Sequence, residues 1–239
     1  MHFNPYIAGN PLDSDGFFGR EDIFRDVNAV LRHPHQNAIV LYGQRRIGKT
    51  SILLQLERRL KKDAQFTPVY FDLMDRADKP LADVLYELAR RISLALDLSP
   101  PHSDAFKGTD DAFREQFLPK AAQAAAAGGL ALLFDEFDVL DSPEQGQAGH
   151  TFFPYLRQWM SRMPQVQFVF VIGRRPEDLS INTLSTFKGV KSTQVALLDK
   201  KNAKAVMRQS EKDGSLFWQD EAIAEVWRWT QGHPFFTQL

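Results

Sequence analysis

The run Gly43-Gln44-Arg45-Arg46-Ile47-Gly48-Lys49-Thr50 fits the pattern G-x-x-x-x-G-K-[ST] and is followed by Ser51. That spacing serves one chemistry, the binding of a nucleoside polyphosphate. Gly43 and Gly48 let the N–H groups of the loop, Arg46 and Ile47 included, turn inward around a β-phosphate. Lys49 reaches the β- and γ-phosphates, and the Thr50 hydroxyl ligates Mg²⁺. Ser51 falls in the first turn of the following helix, whose positive dipole end faces the same anion. A second run, Leu130 to Phe134, is apolar and ends in Asp135-Glu136-Phe137-Asp138. Asp135 is placed to hold Mg²⁺ through its water shell, and Glu136 to polarise an attacking water as general base. Asp138 goes to the turn or to a helix start.

A third cluster, Gly173-Arg174-Arg175-Pro176, follows the apolar run Phe168–Ile172. An arginine at such a strand end can sense a γ-phosphate or stabilise charge in the transition state. Arg174 is the first candidate and Arg175 the second; the alternative is that both are solvated or pair with Glu177 and Asp178. The catalytic set is therefore Glu136, Lys49 and Arg174. No Asn/Thr-Lys-x-Asp guanine reader occurs, and Asp138 stands where a GTPase carries glycine. ATP and ADP with Mg²⁺ are the expected ligands.

The elements that position these groups are legible in the hydrophobic pattern. Ala38–Tyr42 is a short apolar run, the signature of a strand buried on both faces. Ile23, Phe24, Val27, Val30 and Leu31 make a helical stripe before it, halted at His33-Pro34-His35, and Ile52, Leu53, Leu56 and Leu60 make one after it. Val69-Tyr70-Phe71 marks a second strand, and Pro80 opens a helix striped by Leu81, Val84, Leu85, Leu88, Ile92 and Leu96. A helix is expected over 111–127, kinked at Pro119 and closed by Gly128-Gly129. Leu130–Phe134 and Phe168–Ile172 are the third and fourth strands. Between them lie a polar loop at 141–150 and a helix carrying Phe153, Tyr155, Leu156 and Trp159. Gln194–Leu198 is the expected fifth strand, and from about Lys200 the pattern is helical only. Alternating strands and helices imply an α/β protein with a parallel sheet. The N-terminal stretch through Gly16 is an extended loop, and Pro234–Leu239 resembles a helix cut off mid-turn, as in a fragment of a longer protein.

Composition narrows the alternatives. Among 239 residues, 29 Lys and Arg against 30 Asp and Glu leave a net charge of -1, which excludes a polybasic nucleic-acid binder. The absence of cysteine excludes disulfide scaffolds, Cys-ligated metals and thiol nucleophiles. With no signal-peptide pattern and no apolar run near the roughly 20 residues of a membrane span, a cytoplasmic location without membrane contact is expected. His33 and His35 lack a third ligand, and Arg58-Arg59-Leu60-Lys61-Lys62 reads as a solvated helix end.

Taken together the motifs resemble the STAND NTPases, a signalling branch of the AAA+-like (ASCE) P-loop ATPases related to the archaeal-ATPase, NB-ARC and NACHT groups. Asn4-Pro5-Tyr6 with Phe18-Gly19-Arg20-Glu21 resembles the segment that contacts adenine there, and Gly232-His233-Pro234 resembles the G-x-P motif of the helical lid. The resemblance implies Phe18 and Gly19 beside the base, Arg20 near ribose or phosphate, and Pro234 against the nucleotide. It also implies five mainly parallel strands in the order 5-1-4-3-2. A nucleotide-binding domain would span 1–199 and a truncated helical lid 200–239. The implied function is slow, Mg²⁺-dependent ATP hydrolysis in a signalling switch, as in bacterial defence, whose self-association is controlled by nucleotide and triggered by an unidentified ligand or protein. The competing reading is an AAA+ motor or DNA-loading ATPase stimulated by nucleic acid, which the near-neutral charge disfavours without excluding. The winged-helix and sensor domains usual in STAND proteins are not found in this sequence.

Overall fold

A computed structural model of the chain describes residues 4–12, 16–107, 112–141, 147–212 and 214–239. In order they form α1 (Glu21–Leu31), β1 (Ala38–Tyr42), α2 (Lys49–Asp63), β2 (Thr67–Asp72), α3 (Leu81–Ala95), α4 (Leu118–Ala124) and β3 (Leu130–Asp135). There follow α5 (Gln147–Arg162), β4 (Val166–Ile172), α6 (Ile181–Thr186), β5 (Lys191–Gln194), α7 (Lys200–Met207), α8 (Asp220–Thr230) and α9 (Pro234–Thr237). All pairings are parallel and the sheet order is β2-β3-β4-β1-β5, the expected 5-1-4-3-2 seen from the opposite edge.

The period of two along each strand divides the sheet into two cores. Ile39 and Leu41, Ala131 and Leu133, and Val169 and Val171 face α1 and α2. Val40, Leu132, Phe134, Phe168 and Phe170 face α3, α4 and α5. On that second face the Phe134 and Phe170 rings stack at 5.6 Å across adjacent strands. A third, smaller cluster joins Leu198, Ala203, Val206, Met207 and Ile223, with Phe18 and Trp227 packed against it. It holds α7 and α8 together.

Three expectations need correction. The fifth strand is not Gln194–Leu198 but Lys191–Gln194, a polar edge strand. Only a central strand requires an apolar run; past β5, Val195 packs into the core under α1 and α2 and Leu198 into the third cluster, while Ala196 and Leu197 are exposed. The helix expected over 111–127 begins, among the described residues, as a π-helical turn at Ala112–Phe117. It becomes α-helical only at α4, where Pro119 takes a first-turn position and its missing N–H costs nothing. The loop expected at 141–150 is shorter, because Phe137–Asp141 is a 3₁₀ turn and α5 starts at Gln147; residues 142–146, like 1–3, 13–15 and 108–111, lie outside the described residues.

One glycine holds the turn after α8 against the segment between β5 and α7. Gly232 has φ 81°, and a Cβ there would lie 2.1 Å from the Leu198 carbonyl oxygen; its own carbonyl accepts from Leu198 N at 2.9 Å. Gly232→Ala is expected to cost about 1–3 kcal/mol of the packing of α8 and α9 against this segment. Hydrogen exchange of residues 227–239 checks this: it should rise, with β1 and β4 unaffected.

Candidate functional site

The phosphate-loop motif joins β1 to α2 at the carboxyl end of the sheet, where α/β proteins place their ligands. Arg46 (φ 63°) and Gly48 (φ 95°) are both left-handed, which curls the loop, and a Cβ at Gly48 would meet nothing within 4 Å. Gly43 is constrained differently. A Cβ there would press to 2.7 Å of the Val195 carbonyl, so the loop can run this close to the chain leaving β5 only with glycine. No side chain among the described residues caps α2, and its first turn holds no acid, so the N–H groups of Lys49, Thr50 and Ser51 present an uncompensated positive end.

The Lys49 ammonium is buried and donates to the Gly43 and Gln44 carbonyls, each at 3.0 Å. Burial holds its pKa below the usual lysine value, against the opposing pull of Glu136, Asp138 and Asp135. Asp135, the last residue of β3, is buried. Its carboxylate accepts from the Thr50 hydroxyl, from Tyr70 Oη at 3.0 Å and from Glu136 N at 3.0 Å. Burial raises its pKa despite these bonds. Glu136 is half-buried with φ 49°, an uncommon conformation for a residue with a side chain. Burial, then the Asp135 charge, raises its pKa as well.

These groups open on a cavity of about 240 Å³. Arg46, Ile47, Gly48, Lys49, Thr50, Ser51 and Glu136 form one end of its lining, and Phe18, Arg20 and Pro234 also line it. Gly43 lies behind the loop and Asp135 behind Thr50. Gly19 (φ 70°) abuts α7, where a Cβ would meet the Asn202 side chain at 3.1 Å. Arg20 donates to the Ile47 carbonyl at 3.0 Å and to the Ala196 carbonyl, tying the phosphate loop to the start of the lid. Arg174 is not among the lining residues. Its guanidinium is engaged by Asp138 Oδ2 at 3.3 Å, the Asp138 carbonyl at 2.9 Å and Asp141 Oδ2 at 3.1 Å, rather than by Glu177 or Asp178. Asp138 also accepts from Gly173 N at 2.9 Å, so it joins the turn after β3 to the loop after β4.

Several lining residues escape the motifs. The N-terminal strap supplies Ile7, Pro11 and Leu12, and the C-terminal helical segment supplies Val206, Phe235 and Gln238. The strap is pinned at both ends. Tyr6 Oη meets the Met207 carbonyl and the Ser210 hydroxyl and accepts from Trp218 Nε1 at 2.8 Å, while Leu12 N donates to Ser51 Oγ at 2.9 Å. Helix α9 also touches the phosphate loop directly. The Arg46 guanidinium lies 4.2 Å above the Phe235 ring.

A sequence profile of the AAA ATPase domain matches residues 16–172, which include the phosphate loop, Asp135, Glu136 and the whole of β4. The chain belongs to the AAA ATPase domain family. No curated protein sequence matches it. Among solved structures, the Walker-type ATPase PABY2304 of Pyrococcus abyssi is similar over 96% of this chain and 68% of its own, at 16% identity and a TM-score of 0.70. The ORC1 protein of Aeropyrum pernix, solved in complex with DNA, is similar over 95% of this chain and 59% of its own, at 18% identity and a TM-score of 0.62. AMPPCP-bound DnaA from Aquifex aeolicus is similar over 92% and 60%, at 18% identity and a TM-score of 0.57. At such identities the likeness is one of fold. As an AAA ATPase the chain binds ATP and ADP and hydrolyses ATP. No helix among its described residues is long and apolar enough to cross a membrane.

Proposed function

We propose that this AAA ATPase is a nucleotide-controlled switch of the STAND type, in which the bound nucleotide sets the position of the lid and, through it, self-association. The observation that carries this reading is the direct contact of Phe235 with Arg46. A lid that rests on the phosphate loop itself, not only on the base, responds to what the loop holds. In this reading residues 1–199 are the nucleotide-binding domain and 200–239 the lid. Phe18 and Pro234 flank the base, Gly19 supports that wall, and Arg20 stands near the ribose or phosphates. Gly43, Arg46, Ile47, Gly48, Lys49, Thr50 and Ser51 hold the phosphates.

The residues present fit Mg²⁺: Thr50 and Asp135 supply hard oxygen ligands already joined by a hydrogen bond. They would hold the ion, which when bound neutralises charge on the β- and γ-phosphates. Glu136 accepts the proton of the attacking water, and Lys49 bears on the terminal phosphates.

A ligand shifts the lid only by its differential affinity for the two lid states. ADP and ATP differ only in the γ-phosphate, and Arg174 is its proposed reader, exchanging Asp138 and Asp141 for phosphate. ADP is therefore expected to protect residues 227–239 from hydrogen exchange more than a non-hydrolysable ATP analogue does. Arg174→Ala should shrink the difference, whereas Pro234→Ala should weaken both nucleotides alike. Equal protection by the two nucleotides defeats the switch within this segment. The likeness of fold to DNA-bound ORC1 favours a second reading, a DNA-stimulated ATPase. Several-fold stimulation of turnover by duplex DNA would select it.

A further inference from the structure

The Asp135 carboxylate has a partner that none of the nucleotide motifs contains. Tyr70 stands on β2, the edge strand beside β3, and the register pairs Tyr70 with Leu133 and Asp72 with Asp135. Its neighbours Val69 and Phe71 enter the core under α3, α4 and α5. By the period of two, Tyr70 is turned to the opposite face, where it packs against the core under α1 and α2. Leu133 and Asp135 share a parity and point to that same face. The phenol thus runs along the sheet beneath α2 and delivers its hydroxyl to Asp135 Oδ2 at 3.0 Å, beside the Thr50 hydroxyl.

We propose that Tyr70 is a positioning residue for metal-assisted nucleotide binding: its hydroxyl locks the orientation of the Asp135 carboxylate and thereby sets the affinity of the Thr50–Asp135 pair for Mg²⁺. The proposal rests on the assignment of Mg²⁺ to that pair. The geometry leaves the carboxylate little freedom. Oδ1 is held by Glu136 N, Oδ2 by Tyr70, and Thr50 approaches from α2. Of these, the Glu136 N–H belongs to the strand end and the Thr50 hydroxyl is itself claimed by the metal. Tyr70 is thus the side chain that can hold Asp135 without being drawn into the ion's coordination. Outer partners of this kind orient metal ligands, and their removal costs on the order of 10-fold or more in metal affinity.

The test uses Tyr70→Phe, which keeps the ring in its packing and deletes one oxygen. Binding of ADP and of a non-hydrolysable ATP analogue is measured by calorimetry, first in EDTA and then across a Mg²⁺ titration, with Asp135→Asn and the double variant alongside. Expected for Tyr70→Phe are unchanged affinities in EDTA and a half-saturating Mg²⁺ concentration raised about 10-fold. In the Asp135→Asn background, Tyr70→Phe should add nothing further. If Tyr70→Phe leaves the Mg²⁺ dependence at the parent value while Asp135→Asn abolishes it, the positioning role is overturned and the metal assignment stands. If neither changes it, the metal assignment falls, and the proposal with it. A Tyr70→Phe protein that loses affinity equally with and without Mg²⁺ reveals a packing role instead, which also overturns the proposal.

Discussion

Glu136→Gln is expected to bind ATP with the parent affinity and to hydrolyse it about 10²–10⁴-fold more slowly, the range for loss of a general base. That corresponds to about 3–5 kcal/mol of barrier. The amide preserves the size of the side chain, and the left-handed backbone at φ 49° is equally strained for either residue, so the exchange isolates proton acceptance from folding. What disappears is a carboxylate whose affinity for a proton is already increased by burial and by Asp135. Asp138 is the next candidate base by position, but its side chain is occupied by Gly173 N and the Arg174 guanidinium, an arrangement suited to holding two loops together. Calorimetric ATP affinity beside single-turnover phosphate release checks the expectation. Parent-rate hydrolysis by the variant would move the base away from Glu136.

The parts of this molecule that were legible in the sequence are those in which local chemistry and the fold make the same demand. β1, β3 and β4 are central strands, so their apolar runs announce them, and the phosphate loop needs a fixed spacing because its backbone must curl within a few residues. The order 5-1-4-3-2 came with the family resemblance, since periodicity alone says nothing of which strands are neighbours. The edge strand β5 was misplaced by three residues at its start and four at its end because Lys191-Ser192-Thr193-Gln194 carries no hydrophobic signal, while Val195 and Leu198 after it are buried for other reasons, in the core under α1 and α2 and in the third cluster. Contacts across long separations were not legible. Nothing in Asn4-Pro5-Tyr6 says that the phenol is anchored on the lid through Ser210 and Trp218, and nothing near Arg174 points to Asp141 as its partner. Tyr70 lay in plain view within a recognised strand. Its parity with the Asp135 face could have been counted, and the order 5-1-4-3-2 already made β2 and β3 neighbours, but the register that sets Asp72 opposite Asp135 was needed as well.

Lys49→Ala is expected to leave the fold intact and to lower ATP affinity at least 10-fold, about 1.4 kcal/mol. The two halves of that expectation have one cause. In the folded chain the ammonium is buried against the Gly43 and Gln44 carbonyls, and its pKa is lowered by that burial. A base with a lowered folded pKa makes folding less favourable at every pH below that value, the neutral range included. Removing Lys49 therefore relieves a desolvation cost as it strands two carbonyl oxygens, and the opposed effects keep the melting temperature near the parent's. The binding loss has no such offset. The first turn of α2 and the loop N–H groups still favour an anion, but the mobile cation that complements phosphate charge in a low-dielectric cavity is gone. The loss should be larger for ATP than for ADP, because Lys49 is assigned to the γ- as well as the β-phosphate. Calorimetry with both nucleotides on the folded variant decides the matter. Unchanged ATP affinity sinks the assignment of the loop, and an equal loss for ADP and ATP confines Lys49 to the β-phosphate.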